Sequence, residues 1–574
     1  MEYHAFPLRS HWLGGGYPTL GDPEDPTLNP FVLLTIFFGT VMGLKIIVYL
    51  ALLVGGLSAY ALTRYVFGYT RWGALFSGLM FGTSLFVPLR ILDGNPNEVY
   101  AAFLPLCMLL VGLACRRRKI AFLILPFVLY TMLSDGKLTA LMAIFYMGLF
   151  CLMDMAPVFN TFTGRDVCAT KQKKVYVRPV KVLALALFVT FLIGMVRFLP
   201  ALELIQSKGG LGHIDLFFYP DEYTTQKIYA YKFQELWQWA ITWKGQEGLV
   251  TVGWVPVALS AVALFAYWKR SLPWAICLVL FVWLTMAHNA RVDLFRLLWK
   301  LPIFNAVNRP YKYFTFQIAF TLAIASGQSF WLLRKLRYRW LEHLCAIILI
   351  IAGMWFLYPR MARIQRDTYK FETPAEFLAP EEEFYNIQGQ NLKRNREEQL
   401  RSVTYFNVIR NVGTVDWYTG IPIAEDAAPK YFIDEQDNHI PNPEYRGEVY
   451  SPDIEDMETR SEFQPNSISV QLDIKTPGTV VVNQNYHRDW HTDKGELFNK
   501  DGLLGLRFQE AGSYTIRMKY IPRSFYGGLM VSIFSLFALA FVCWAYKTGR
   551  LLRWSQSATP FLRRGSQALL WLVD

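Results

Sequence analysis

Long apolar runs recur from one end of this 574-residue chain to the other, and they limit the fold more than any other feature. An apolar stretch crosses a bilayer when it holds about 20 residues, or fewer when flanking side chains reach the interface. Runs of this kind fall near 44–66, 72–91, 98–115, 119–134, 137–153, 180–201, 248–268, 272–288, 312–333, 340–358 and 526–546. They predict a polytopic α-helical membrane protein of about eleven spans. The stretch 31–66 is too long for one span and too short for two, so Phe31 to Gly39 reads as a short interfacial or re-entrant piece ahead of the first full span.

Composition supports this class: 53% of residues are hydrophobic and only 18% are charged, which excludes a disordered chain and most soluble enzymes. The net charge of +12 invites a nucleic-acid reading, but its distribution argues otherwise. The polar segment from Tyr358 to Phe525 carries 20 Lys and Arg against 27 Asp and Glu, a net of −7, which leaves +19 on the apolar remainder. That excess sits in alternate loops: at Arg71, at Arg116 to Lys119, at Lys171 to Arg178, at Lys269-Arg270, at Arg334 to Arg339, and at Lys547 with Arg550. The positive-inside rule makes this face cytoplasmic and places the N-terminus, the 202–247 loop and the 358–525 segment outside. No nucleic-acid partner is expected.

The expected organisation is 1–30 as the remainder of a first external loop, 31–358 as the transmembrane domain, 359–525 as an extracytoplasmic mixed and β-sandwich domain, 526–546 as the final span, and 547–574 as a basic tail lying on the inner leaflet. Met1 to Pro30 is polar and rich in Gly and Pro, and it reads as the end of a loop whose preceding helix is missing, so that the chain starts one helix late. From Ser467 to Tyr520 the apolar period becomes two, at Ile468, Val470, Leu472 and Ile474, then Val480 to Val482, then Tyr514, Ile516 and Met518. Asp493-Lys494-Gly495 reads as a hairpin turn, and weak strand signals lie at Val403 to Val408 and Lys430 to Ile433. All seven cysteines lie in or near spans or in a cytoplasmic loop, so no disulfide framework supports the external domain.

Four segments carry a family resemblance: Trp12-Leu13 to Gly16-Tyr17-Pro18; Leu199-Pro200 to Glu203 and Ser207; Leu301-Pro302-Ile303-Phe304 to Asn308-Arg309-Pro310-Tyr311-Lys312; and Asn485-Tyr486 to Trp490 with Asp493-Lys494-Gly495, Ala511 to Tyr514, and Tyr520-Ile521-Pro522 to Gly527-Gly528. Together they resemble the bacterial YfhO-like membrane proteins of the GT-C superfamily, with Asn308 standing where the family usually has an aromatic. The resemblance implies a GT-C fold in the bacterial inner membrane and an active site on the external face. It further implies a polyprenyl-phosphate-linked sugar donor, an envelope glycan or lipid acceptor, and inverting transfer. The family's catalytic carboxylate belongs to the first external loop soon after helix one, a stretch this sequence lacks; Asp22, Glu24 and Asp25 lie further downstream. The rival reading is a non-catalytic GT-C-fold scaffold or accessory subunit of a membrane complex. A transporter or flippase is a weaker rival, because Lys45 and Arg197 are nearly the whole stock of ionisable residues within spans.

Read from residue chemistry, the loop 289–311 is the best clue. Arg291, Arg296, Lys300, Arg309 and the adjacent Lys312 stand on the outside against the inward bias of positive charge. Arginine suits bidentate contact with phosphate, so Arg309 and Lys312 are the candidates for the donor phosphate. Asp22, Asp25, Asp93 and Glu98 are the weak catalytic candidates, as base or metal ligand. The plainer reading of Asp93 to Glu98 is a Gly-Pro turn with a helix cap, and that of Asp135 with Lys137 is a local ion pair. Trp237, Trp239 and Trp243 read first as an interfacial amphipathic segment. His487 and His491 with Asp489 and Asp493 have weak metal spacing, so no metal ligand is assigned. A divalent metal is the one cofactor left open.

Overall fold

The computed structural model describes residues 5–92, 94–116, 119–134, 138–156, 177–207, 228–242, 250–301, 304, 307, 309–368, 380–388, 407–415, 426–434, 438–454 and 457–548. The chain divides into two compact units, one mainly helical (28–195, 217–370 and 530–574) and one β-rich (1–27, 196–216 and 371–529).

In the helical unit the chain enters through α1 (Val32–Phe38) and breaks at Gly39, whose φ of 79° is a left-handed conformation suited to glycine. It then runs as α2 (Thr40–Ala61), with a wide turn to Val66. No residue of α1 is buried, as expected for a short piece ahead of the first full span. Then follow α3 (Arg71–Gly82), α4 (Phe86–Leu92), a 3₁₀ turn (Pro96–Phe103) leading into α5 (Leu104–Cys115), α6 (Lys119–Leu133), α7 (Leu138–Met153) and α8 (Arg178–Ile193). After α9 (Met195–Ser207), which from Val196 onward belongs to the β-rich unit, come α10 (Phe233–Ile241), α11 (Trp254–Ala266), α12 (Trp268–Met286), α13 (Leu294–Trp299), α14 (Pro310–Gln328) and α15 (Arg339–Thr368).

Seven helical stretches among the described residues are long and apolar enough to cross a membrane: 40–66, 71–92, 98–115, 268–289, 310–335, 339–366 and 523–545. The segments expected near 119–134, 137–153 and 248–268 carry shorter apolar helices, and 178–206 is a bent pair. The helix from Pro310 is buried on nearly all sides, so it forms the centre of its unit, whereas 339–366 is only 17% buried. An apolar helix with so little protein cover has its remaining surface solvated by lipid.

Glycines set how closely these helices approach. A Cβ on Gly73 would lie 2.2 Å from the carbonyl oxygen of Gly327, and one on Gly327 would lie 2.3 Å from that of Gly73. Backbone therefore touches backbone where α3 meets α14, the packing mode that lipid favours over bulky apolar contact.

The β-rich unit holds three four-stranded sheets among the described residues. One orders β6 (Thr459–Gln464), β7 (Ser467–Ile474), β12 (Gly512–Tyr520) and β9 (Trp490–Thr492), all antiparallel. A second orders β10 (Glu496–Lys500), β11 (Leu503–Phe508), β8 (Gly478–Asn485) and β5 (Val449–Tyr450), also antiparallel. The third joins β2 (Val412–Thr414), β1 (Tyr385–Ile387), β3 (Tyr431–Ile433) and β4 (His439–Pro441), with β1 parallel to its neighbours on both sides. The period-two runs become β7, β8 and β12; in β7, Ile468, Val470, Leu472 and Ile474 are all buried while alternate residues face outward. The turn expected to be a hairpin at Asp493-Lys494-Gly495 instead carries the chain from one sheet to another, since β9 pairs with β12 and β10 with β11. Two-residue hairpins instead join β6 to β7 at Pro465-Asn466 and β10 to β11 at Asp501-Gly502, the latter with φ of 52° and 88°. Of the weak strand signals, Tyr431 to Ile433 is a strand; 403–406 lie outside the described residues and Asn407 begins a helical turn. The final helix α16 (Arg523–Lys547) follows directly.

Candidate functional site

Two of the sequence candidates meet in the helical unit. Gly94, at φ 75°, turns the chain after α4, so that Arg90 at the end of that helix faces Glu98 in the following 3₁₀ turn. Arg90 Nε donates to Glu98 Oε2 and Nη2 to Oε1, both at 2.6 Å, and Thr139 Oγ1 donates to Oε2 at 2.9 Å. Lys312 Nζ lies 3.8 Å from Oε1. The Arg90 and Glu98 side chains are 2% and 0% exposed, and Lys312 is 15% exposed. A carboxylate whose oxygens are taken up in this way is poorly placed to remove a proton from a substrate; what it does is hold Lys312 at the start of α14. Glu98 thus stands between the Arg90 and Lys312 side chains. Arg309, three residues earlier, is exposed and caps α14, with Cζ 5.4 Å from the centre of the Tyr229 ring. Helix N-terminal N–H groups flanked by an arginine and a lysine suit an anion. Asp93, Asp135 and Lys137 lie outside the described residues, as do Trp243, Asn308 and the 549–574 part of the tail.

The same unit contains an apolar groove of 610 Å³ lined by α10, α11, α12 and α14. Trp237, Trp274, Val279, Trp283 and Leu322 contribute to its walls, and Arg291 is among its lining residues. Several wall residues remain exposed, Trp237 at 53% and Val279 at 61%, so the groove is not closed over by protein. α10 is amphipathic: Leu236, Trp239 and Ala240 point into the core while Phe233 and Trp237 face out. The expected interfacial tryptophan segment thus forms one wall of a groove that local sequence did not announce. Arg296 and Lys300, the other cations of the 289–311 loop, stand on or just beyond α13, with Lys300 exposed.

In the β-rich unit Asp22 and Asp25 sit on a loop held from beneath. Arg197 donates to the carbonyl oxygens of Leu20 at 2.7 Å, Asp22 at 2.5 Å and Asp25 at 2.8 Å, which accounts for one of the two cations noted within spans. Asp22 is buried and its Oδ1 accepts from the Glu24 N–H at 2.9 Å. Burial pushes its pKa up to about 6, outweighing that hydrogen bond, with Glu24 and Asp25 adding repulsion and Arg197 opposing it. Burial likewise raises Asp25. A carboxyl of that kind exchanges protons near neutral pH, as a general base must.

Three of the four motif segments converge in this unit on one polar cavity of 560 Å³, whose lining includes Gly16, Pro18, Glu203, Asn485 to Arg488 and Tyr520. Gly14, Gly15 and Gly16 all have positive φ, and a Cβ on Gly16 would fall 1.6 Å from Arg9 Nη2. No side chain fits there. The turn is tied to β8 by the Asn485 N–H, which donates to Gly15 O at 2.7 Å, and by Asn485 Nδ2, which donates to Gly14 O at 2.5 Å. Arg488 forms an ion pair with Glu203.

Glu203, His487 and Asp489 place potential ligand atoms within 4.8 Å of one another, a grouping that spacing alone did not indicate. Each is already engaged. Glu203 holds Arg488; Asp489 accepts from the Arg523 N–H at 3.2 Å; and His487 Nδ1 accepts from the Asp489 N–H at 3.2 Å. Burial lowers the His487 pKa, with Asp489 and Glu203 opposing it. The cluster behaves as an ion-pair network. His491 is exposed and Asp493 accepts from the Arg517 N–H at 2.7 Å, so neither joins it. Sequence reasoning passed over Arg9 and named Asn485 only as part of a family motif; the triple glycine at 14–16 was the signal that could have drawn attention to their surroundings.

No family model, no curated protein and no solved structure matches this chain. Several long apolar helices nonetheless mark a membrane-associated protein.

Proposed function

We propose that this protein is a GT-C-type glycosyltransferase of YfhO-like character in the bacterial inner membrane, with eleven spans and an extracytoplasmic β sandwich. It transfers a sugar from a polyprenyl-phosphate donor to an envelope glycan or lipid on the external face. The observation that carries this reading is that the helical unit holds both an apolar groove with Arg291 in its lining and a helix N-terminus bearing Arg309 and Lys312. A lipid phosphate offers the matching chemistry, a long apolar chain on a compact anion. In the reaction the acceptor oxygen attacks the anomeric carbon, the bond from that carbon to the phosphate oxygen breaks, and the phosphate leaves with the electron pair. Arg309 and Lys312 stabilise that charge. A carboxylate takes the acceptor proton; Glu98 is already committed to anchoring Lys312.

The commitment of Glu98 to Arg90 and Thr139 favours the second reading, a non-catalytic scaffold of the same fold that binds the lipid without turning it over. Lipid binding tests what the two readings share. Native mass spectrometry of the detergent-purified full chain should show polyprenyl phosphate retained about tenfold better than polyprenol, the scale of one charge-assisted contact. Arg309→Ala should erase that preference. Equal retention of both lipids by the unaltered protein would overturn the assignment.

A further inference from the structure

The polar cavity of the β-rich unit contains a buried cation whose chemistry is incomplete. Arg9 is 2% exposed and lines the cavity. Its Nη2 donates to Gln484 Oε1 at 2.7 Å and its guanidinium lies 4.9 Å from the centre of the Trp490 ring, but Nη1 has no hydrogen-bond partner. Among the described residues no carboxylate forms an ion pair with it, and its burial lowers its pKa to about 10. A buried guanidinium with neither an ion-pair partner nor full hydrogen bonding is costly to keep, and such positions persist where a ligand completes them. A second lining residue shows the complementary deficit: Asn485 is 8% exposed, and its Oδ1 is buried without a donor. The cavity therefore lacks one acceptor, preferably charged, and one donor.

The remaining lining fits a sugar. Its lining also includes two aromatic residues, Tyr486 and Tyr520, and the polar Asp426, Asn499 and Glu203, which can bind hydroxyls. A volume of 560 Å³ is ample for a short saccharide, and the floor is fixed by the glycine turn at 14–16, which admits no side chain. An inorganic anion would satisfy Arg9 but offers no sugar ring and, as sulfate, no hydroxyl for Asn485 Oδ1. A neutral sugar would do the reverse. We infer that this cavity binds an anionic saccharide, its carboxylate or phosphate on Arg9 and a hydroxyl donating to Asn485 Oδ1. The site lies wholly within the β-rich unit and stands independently of the lipid-phosphate reading above.

The test uses the purified full-length protein in detergent, titrated calorimetrically with glucuronate, glucose 1-phosphate, glucose and inorganic phosphate. Glucuronate or glucose 1-phosphate should bind at least about tenfold more tightly than glucose or phosphate, and the better of the two identifies the anion. Arg9→Gln should reduce that binding to the level of glucose. Because Arg9 is buried and its replacement can impair folding, Asn499→Ala provides the second variant; it changes a lining side chain while leaving Arg9 in place, and it should weaken both anionic sugars several-fold. Absence of binding by either anionic sugar, or binding no tighter than that of glucose or phosphate, would overturn the inference, as would full binding by a folded Arg9→Gln protein.

Discussion

Glu448 shows how a single side chain records the physics of the β-rich unit. It is fully buried and accepts from the Asn386 N–H at 2.8 Å, from Asn386 Nδ2 at 2.9 Å, from Asn483 Nδ2 at 3.1 Å and from the Tyr445 hydroxyl at 3.1 Å. Burial still dominates and raises its pKa to about 7. A carboxyl raised above its unfolded value binds its proton more tightly when folded, so its contribution to stability is full below about pH 4.5 and is lost as pH rises through 7. The protein's melting temperature in detergent should therefore fall between pH 5 and 8 by the equivalent of about 3 kcal/mol, and Glu448→Gln should flatten that slope. An unchanged slope would mean the titrating group lies elsewhere. Residues of this kind are hard to see in a sequence: Glu448 is one acidic residue in an acidic segment, and only partners at 386 and 483 distinguish it. Glu98 and Lys312 were legible as unusual residues, but their pairing was not, since 214 positions of chain separate them and nothing local encodes the contact.

At the scale of elements, hydropathy periodicity was informative and connectivity was not. Each apolar run expected to span has a helix in its place or a bent pair of helices, because a run of apolar side chains has few other ways to satisfy its backbone away from water. The strands β7, β8 and β12 followed from alternation, while the hairpin was placed at the wrong turn. Asp493-Lys494-Gly495 and Asp501-Gly502 both look like turns; which of them joins paired strands depends on sheet partners that no local signal reports. The glycine contact between α3 and α14 gives an element-scale prediction. Gly327→Ala should lower detergent stability by roughly 1–3 kcal/mol, the cost of overpacking, because its Cβ would lie 2.2 Å from Ser77 Oγ and 2.3 Å from a carbonyl. Gly148→Ala, with nothing within 4 Å of its Cβ, should be neutral or slightly stabilising. Equal effects in a thermal melt would argue against close packing at Gly327.

For the whole molecule, sidedness is the property that loop charge alone argued. Lys494 is exposed, and the sequence places no cysteine between 346 and 542, so Lys494→Cys reports on the β-rich unit alone. An impermeant thiol reagent should label it in intact spheroplasts; labelling seen only after lysis would reverse the topology. The central claim is that the cationic helix N-terminus and the apolar groove serve sugar transfer from a lipid phosphate. Incubating the full-length protein with a radiolabelled polyprenyl-phosphate sugar and isolated envelope acceptors tests it most directly. The account predicts label passing to the acceptor with the unaltered protein and loss of that transfer in a folded Arg309→Ala protein; undiminished transfer by Arg309→Ala, or none by the unaltered protein, would contradict it.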